Sequence, residues 1–250
     1  MKAAGRSRNR KLIAIVTPLS LLAVAGVLLA PATTKQGFNF VVSTHQVPAY
    51  VKALDFVSRD RHYALLAKEI TGSLRSDREK ALAVFGWTRE HIHPTPAGWP
   101  VTDDHIWHII VRGHGVQDQV ADVFTTLLTY AGVPAFWQSR RLSEQSNGVI
   151  LSFAKVDGRW AVFDVWHGLV FTTASGELAS REALAADPQR VTELANGLRP
   201  GGVAYVRYFT EAPPPTVPRP LLRAELQMPW RRLQYEAGRV LGVVRGPHET

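Results

Sequence analysis

The sequence predicts an α+β domain, in which a helix packs on an antiparallel sheet, preceded by one N-terminal transmembrane helix. Three observations carry this. From Val116 to Ala131 the residues Val120, Val123, Phe124, Leu127 and Leu128 recur at helical spacing and form one apolar stripe. Downstream, Gly148 to Lys155, Arg159 to Val165 and Leu169 to Thr172 are short strand-like runs, and Asp157-Gly158 between the first two is a strong hairpin signal. Leu12 to Thr34 contains no charged residue, and about 20 such residues cross a bilayer core of roughly 30 Å.

The elements follow in order. Lys2, Arg6, Arg8, Arg10 and Lys11 form a basic arm at 1–11. By the positive-inside rule this arm stays in the cytoplasm and the domain lies outside it, periplasmic or extracellular, behind a single-pass signal-anchor at 12–34. A cleavable signal peptide is the rival, with Ala30-Pro31-Ala32 as a poor cleavage site and Leu12 to Leu29 long for a signal core. Residues 35–75 form a stalk and an N-terminal helix, with Phe38, Phe40, Val41 and Val42 in an edge strand and helical spacing from Val47 to Ile70. Ser76-Asp77-Arg78-Glu79 is a capping box opening a helix that buries Ala81, Val84, Phe85 and Trp87 and stops at Pro94 and Pro96. After the helix at 116–131, Gly132 is a stop signal and Val133 to Gln138 is a strand. Glu177 to Asn196 forms one or two short helices around Asp187-Pro188, and Gly202 to Phe209 forms a final strand. The main domain so defined is 76–210, followed by a Pro-rich extended linker at 211–220 and a basic amphipathic tail at 221–250. In the tail Leu222, Leu226, Trp230, Leu233 and Ala237 keep helical spacing, Pro229 argues against one unbroken helix, and both a membrane-surface helix and a helix packed on the domain fit.

The net charge of +8 belongs to the two ends. The arm holds five cations, and from Arg219 onward six Arg face three Glu. Residues 12–218 then carry 18 positive and 18 negative side chains, so the domain has no basic face for nucleic acid. There is no cysteine and hence no disulfide, which an exported domain of this size can do without.

One stretch carries more information than the rest. Gly113-His114-Gly115-Val116-Gln117-Asp118-Gln119-Val120-Ala121-Asp122-Val123-Phe124, continuing through Leu127-Leu128 to Gly132-Val133-Pro134-Ala135, resembles the core of the transglutaminase-like superfamily. Ala121, Phe124, Leu127, Leu128, Gly132, Pro134 and Ala135 fit that pattern, and the nucleophile position falls on Gln117. Asn147 to Asp164 resembles the family's second landmark, with Trp160 and Asp164 in place. The histidine position falls on Val149, or on Gly148 with a one-residue slip. The resemblance covers residues 76 to 170 and implies a papain-like core in a degenerate member. Acyl transfer of this type needs a thiolate, a histidine base and an orienting carboxylate. A glutamine amide is a poor nucleophile, and Asp164 alone could simply hydrogen-bond to backbone or to a tryptophan N–H.

His91, His93, His105, His108 and His114 lie close together in sequence with Asp103 and Asp104. They admit a metal site, although no spaced metal signature is present, and they equally admit ordinary hydrogen-bonding histidines. The resemblance places the loop before Gln117 beside the family's cleft, so Trp99, His105, Trp107, His108, Gln117 and Asp118 are candidates to line a groove for a peptide or a glycan; the alternative puts Trp99 and Trp107 in the core. The expected function is a membrane-anchored pseudoenzyme, without cofactor or metal, that binds or scaffolds with a protein partner in the cell envelope, for instance in polysaccharide or cell-wall assembly. The alternatives are a hydrolase or transferase with replaced, metal-dependent His/Asp chemistry, and an unrelated α+β interaction domain.

Overall fold

The computed structural model describes residues 24–103, 105–142, 148–219 and 221–243. The basic arm, most of the apolar segment and Asp104 lie outside these. Among the described residues no helix is long and apolar enough to cross a membrane. Val24 to Leu29 are helical, but Pro31 to Thr34, counted above with the transmembrane segment, begin a strand instead. Strand β1 (Pro31–Phe38) pairs along its whole length with β2 (Val41–Pro48). The two strands are joined as a hairpin, and Asn39 and Phe40 take the positive φ values, 47° and 66°, of its two-residue turn. The supposed stalk is therefore a two-stranded ribbon.

Helix α1 (Ala49–Thr71) buries Arg59, Tyr63, Ala67 and Thr71, one residue per turn. Its first half leaves Leu54 and Val57 exposed. Helix α2 (Asp77–His91) opens on the expected capping box: Ser76 Oγ accepts from Glu79 N at 3.2 Å, and Glu79 Oε2 accepts from Ser76 N at 3.0 Å. Ser76→Ala should lower Tm by about 2–4 °C, measurable by differential scanning calorimetry, because the first turn loses a satisfied N–H. Short strand β3 (His93–Pro94) follows, then β4 (Thr102–Asp103), which adds to β1. Gly37 is required there, since a Cβ would stand 2.9 Å from Asp103 Cβ. Residues 106–112 form α3 (Ile106–Arg112), ended by Gly113 in the left-handed region, and β5 (His114–Gly115) runs parallel to β3.

Helix α4 (Gln117–Tyr130) is the centre of the molecule. Val123, Phe124, Leu127 and Leu128 are fully buried. They pack on an antiparallel sheet of β6 (Ala135–Arg140), β7 (Val149–Val156), β8 (Arg159–Asp164) and β9 (Leu169–Val170), in that order. The Asp157-Gly158 turn joins β7 to β8 as expected. Period-2 alternation divides the sheet's side chains between two cores. Ala154, Val156, Ala161 and Phe163 join α4 in the first; Phe136, Val149, Leu151, Phe153 and Val162 face the second.

The second core is closed by α5 (Arg181–Ala186), α6 (Pro188–Ala195) and α7 (Tyr205–Thr210). The final strand expected at 202–209 is thus a helix. Tyr205, Tyr208 and Phe209 are the buried residues, and their i, i+3, i+4 spacing is helical. In the tail, Pro229 does not interrupt a helix but starts one: α8 (Pro229–Val240) carries it at the first position, where its missing N–H costs nothing. Helix α8 lies on α1, with Arg232 over the Phe56 ring at 5.7 Å, and buries no residue completely.

Candidate functional site

Gln117 is the first helical residue of α4, after Val116 in extended conformation. A buried polar lattice holds this helix start in place. Gln119 Oε1 accepts from Val116 N at 3.2 Å and from Arg112 Nη2 at 3.0 Å, while its Nε2 donates to Thr102 O at 2.7 Å. Arg112 also donates to His114 O at 2.9 Å and Thr102 O at 2.8 Å. Gly115 leaves room for this lattice, since a Cβ there would stand 3.0 Å from Gln119 Oε1. A cysteine at a helix start has its thiolate stabilised by the free N–H groups; the amide of Gln117 has no such ionised form.

The other two positions that the resemblance assigns lie on the sheet face opposite α4. Val149 is fully buried in the second core, on the sheet face opposite α4. A slip to Gly148 does not help, because a Cβ there would meet Arg140 O at 2.6 Å. Asp164 is fully buried as well and engaged. Its Oδ1 accepts from His167 N at 2.9 Å; its Oδ2 lies 2.9 Å from His167 Nδ1 and accepts from Tyr205 Oη at 2.5 Å. Burial, and next the Asp164 charge, push the Tyr205 hydroxyl pKa far upward, so it stays a donor. Asp164 therefore ties the end of β8 to α7. Its backbone bond matches the simple structural role, with His167 and Tyr205 as partners in place of a tryptophan.

The six groove candidates are distributed over four places. Gln117 and Asp118 sit at the start of α4, where Asp118 Oδ1 accepts from Gln119 N at 2.9 Å. Trp99 is exposed, edge-on to His114 at 5.3 Å. Trp107 packs against the first core, stacked on His62 at 4.7 Å and edge-on to Tyr63. His105 and His108 stand 5.6 Å apart and line a cavity of about 330 Å³ walled by β1, β2 and α1. His105 also lines a larger neighbouring cavity. The remaining histidines are dispersed: His91 stacks on Trp87 at 4.4 Å, and His93 pairs with His114 across β3 and β5. Burial, then Arg112, lowers the His114 pKa and so favours its neutral ring. Among the described residues no three His, Asp or Glu side chains gather as metal ligands would.

The sequence reading missed a second buried carboxylate. Asp122 on α4 is 5% exposed; its Oδ1 accepts from Trp137 Nε1 at 2.5 Å and its Oδ2 lies 2.8 Å from Arg223 Nη2. Burial pushes its pKa up to about 6, against the pull of Arg223 and the Trp137 N–H. The available signal was a carboxylate flanked on both sides by the apolar residues of a buried stripe. Nothing local to the sequence pairs Arg223 or Trp137 with it, and Tyr205 is equally remote from Asp164.

Residues 64–172 match the model of the transglutaminase-like superfamily. That stretch is a transglutaminase-like domain, and it holds no cysteine. It begins inside α1, twelve residues before the capping box at Ser76, so the last eight residues of α1 fall within the match. Among solved structures the chain is similar to a proposed cysteine protease from Cytophaga hutchinsonii, with 18% identity over 42% of this chain and 37% of the other at a TM-score of 0.36. It is also similar to a proposed protease from Parabacteroides distasonis, with 13% identity over 53% of this chain and 35% of the other at a TM-score of 0.35. The chain thus spans a little over a third of the length of each. No curated protein matches it.

Proposed function

We propose that this chain is a transglutaminase-like pseudoenzyme, tethered to a membrane by its N-terminal apolar segment, that serves as a binding or scaffolding module in the cell envelope. The observation that supports the loss of acyl chemistry is geometric as well as compositional. Gln117 replaces the nucleophile, and Val149 and Asp164 belong to the opposite face of the sheet, with Asp164 already occupied by Tyr205 and His167. Restoring a thiol alone would therefore leave it without a base.

The test uses the full chain in dodecyl maltoside micelles. Ammonia release from glutamine peptides and amine incorporation into them should both stay at background for the native chain and for Gln117→Cys. Turnover by the native chain sinks the pseudoenzyme reading, and turnover by Gln117→Cys sinks the claim that no base faces this position. The binding role is tested by thermal shift with glutamine- and lysine-containing peptides and envelope glycans. A shift lost in Gln117→Trp would locate the ligand at the start of α4, and no shift with any of them would direct the search to a protein partner.

A further inference from the structure

A cavity of about 700 Å³ lies between β1, α1 and α8, away from the start of α4. Lys35, Lys52, Arg59, His105 and Arg232 contribute to its wall, Phe56 supplies an apolar side, and among the described residues no carboxylate lines it. Asp55 faces the adjoining cavity and lies 3.1 Å from Arg59 and 3.9 Å from His105. Lys52 Nζ donates to Thr33 O, which holds it at the rim of β1. Arg59 is 6% exposed, and its Nη1 is buried with no hydrogen-bond partner among the described residues. A guanidinium N–H sheltered from water and left unpaired is costly. Lys35, Lys52, Arg59 and Arg232 bring four cations to one concavity, and Asp55 offsets only part of that charge, so an entering anion would relieve the repulsion that is left.

We propose that this cavity binds the phosphate group of an anionic ligand, with Arg59, Lys52 and Lys35 as its donors and the Phe56 ring beside the ligand's apolar part. Arginine and lysine suit phosphate oxygens as charge-assisted donors. Phosphate could come from a soluble ester or from a phospholipid headgroup. The lipid source gains weight from connectivity: Thr33, Thr34 and Lys35 follow within six residues of Leu29, the end of the apolar segment. At about 3.3 Å per residue that is within roughly 20 Å of the segment's end.

The experiment is thermal shift of the full chain in dodecyl maltoside micelles, with inorganic phosphate, with glycerol 3-phosphate, and with micelles containing phosphatidylglycerol or phosphatidylcholine, all at matched ionic strength. The variant Lys35→Glu with Arg232→Glu changes two exposed wall residues and spares the buried Arg59. At about 100 times its dissociation constant a true ligand raises Tm by roughly 5–10 °C, and the double variant should lose the rise. A rise with soluble phosphates identifies a soluble ester, and one confined to phosphatidylglycerol identifies the headgroup. No rise with any probe, or a rise that the double variant keeps, overturns the proposal. This outcome is independent of the acyl-transfer assays, since catalysis at the start of α4 would leave the cavity unchanged.

Discussion

Asp164→Ala is expected to cost about 3–5 kcal/mol and to lower Tm by roughly 8–15 °C, without affecting any turnover. The carboxylate is fully buried and receives the backbone N–H of His167 and the Tyr205 hydroxyl, with His167 Nδ1 against it at 2.9 Å. Alanine strands these donors in an apolar layer beside Phe171 and Phe209, at about 1–3 kcal/mol for each group left unsatisfied. Tyr205→Phe removes one donor and leaves the others, so its loss should be smaller. Unfolding of both variants in urea, read by tryptophan fluorescence, orders them. If Asp164→Ala melts within about 2 °C of the native chain, the three-membered network contributes little, and Asp164 would have to be reconsidered as a group that acts on a ligand. A carboxylate whose only task is to orient a catalytic histidine would be expendable for folding; this one joins β8 to α7.

The legible parts of the fold were those written in local spacing. The stripe on α4, the Asp157-Gly158 hairpin and the capping box at Ser76 are each determined by residues within one or two turns of one another, and each forms as expected. The β1–β2 ribbon was obscured because Pro31 to Thr34 continue an uncharged run, so composition merged the strand with the segment before it. The 205–210 helix reads as a strand in the sequence because its aromatic residues also permit alternation, and only the layer they cover decides between the two periods. Gln117 is singled out by the resemblance together with a residue type missing from the chain altogether. The face on which Val149 and Asp164 lie was not legible, because it depends on the register of β7 against β8 and on which layer each face meets. The pairs Asp122–Arg223 and Asp164–Tyr205 span 101 and 41 residues and leave no local trace.

Asp122→Asn should stabilise the chain above pH 6, by about 3 kcal/mol at pH 8, and have no effect near pH 4. The carboxyl's pKa is about 6 in the fold against an ordinary 3.8. Between these values the folded chain holds the proton that the unfolded chain has released, so stability falls as pH rises through the window and the full penalty is present above it. About two units at 1.36 kcal/mol each set its size. Asparagine keeps an acceptor for Trp137 Nε1 and gives up the pairing with Arg223, whose side chain is 60% exposed and whose ion pair is correspondingly weak. Melting curves from pH 4 to 8 should thus show a native Tm that declines by several degrees and a variant Tm that does not. A variant that is less stable at pH 8 would mean that Arg223 outweighs burial. Arg223→Ala separates these two forces. Removing the cation takes away the largest influence that lowers the Asp122 pKa, so the decline should move to higher pH and deepen. Arg223 lies in the segment between the Pro-rich linker and α8, so the ionised carboxylate, although costly to bury, adds one contact between this tail and α4.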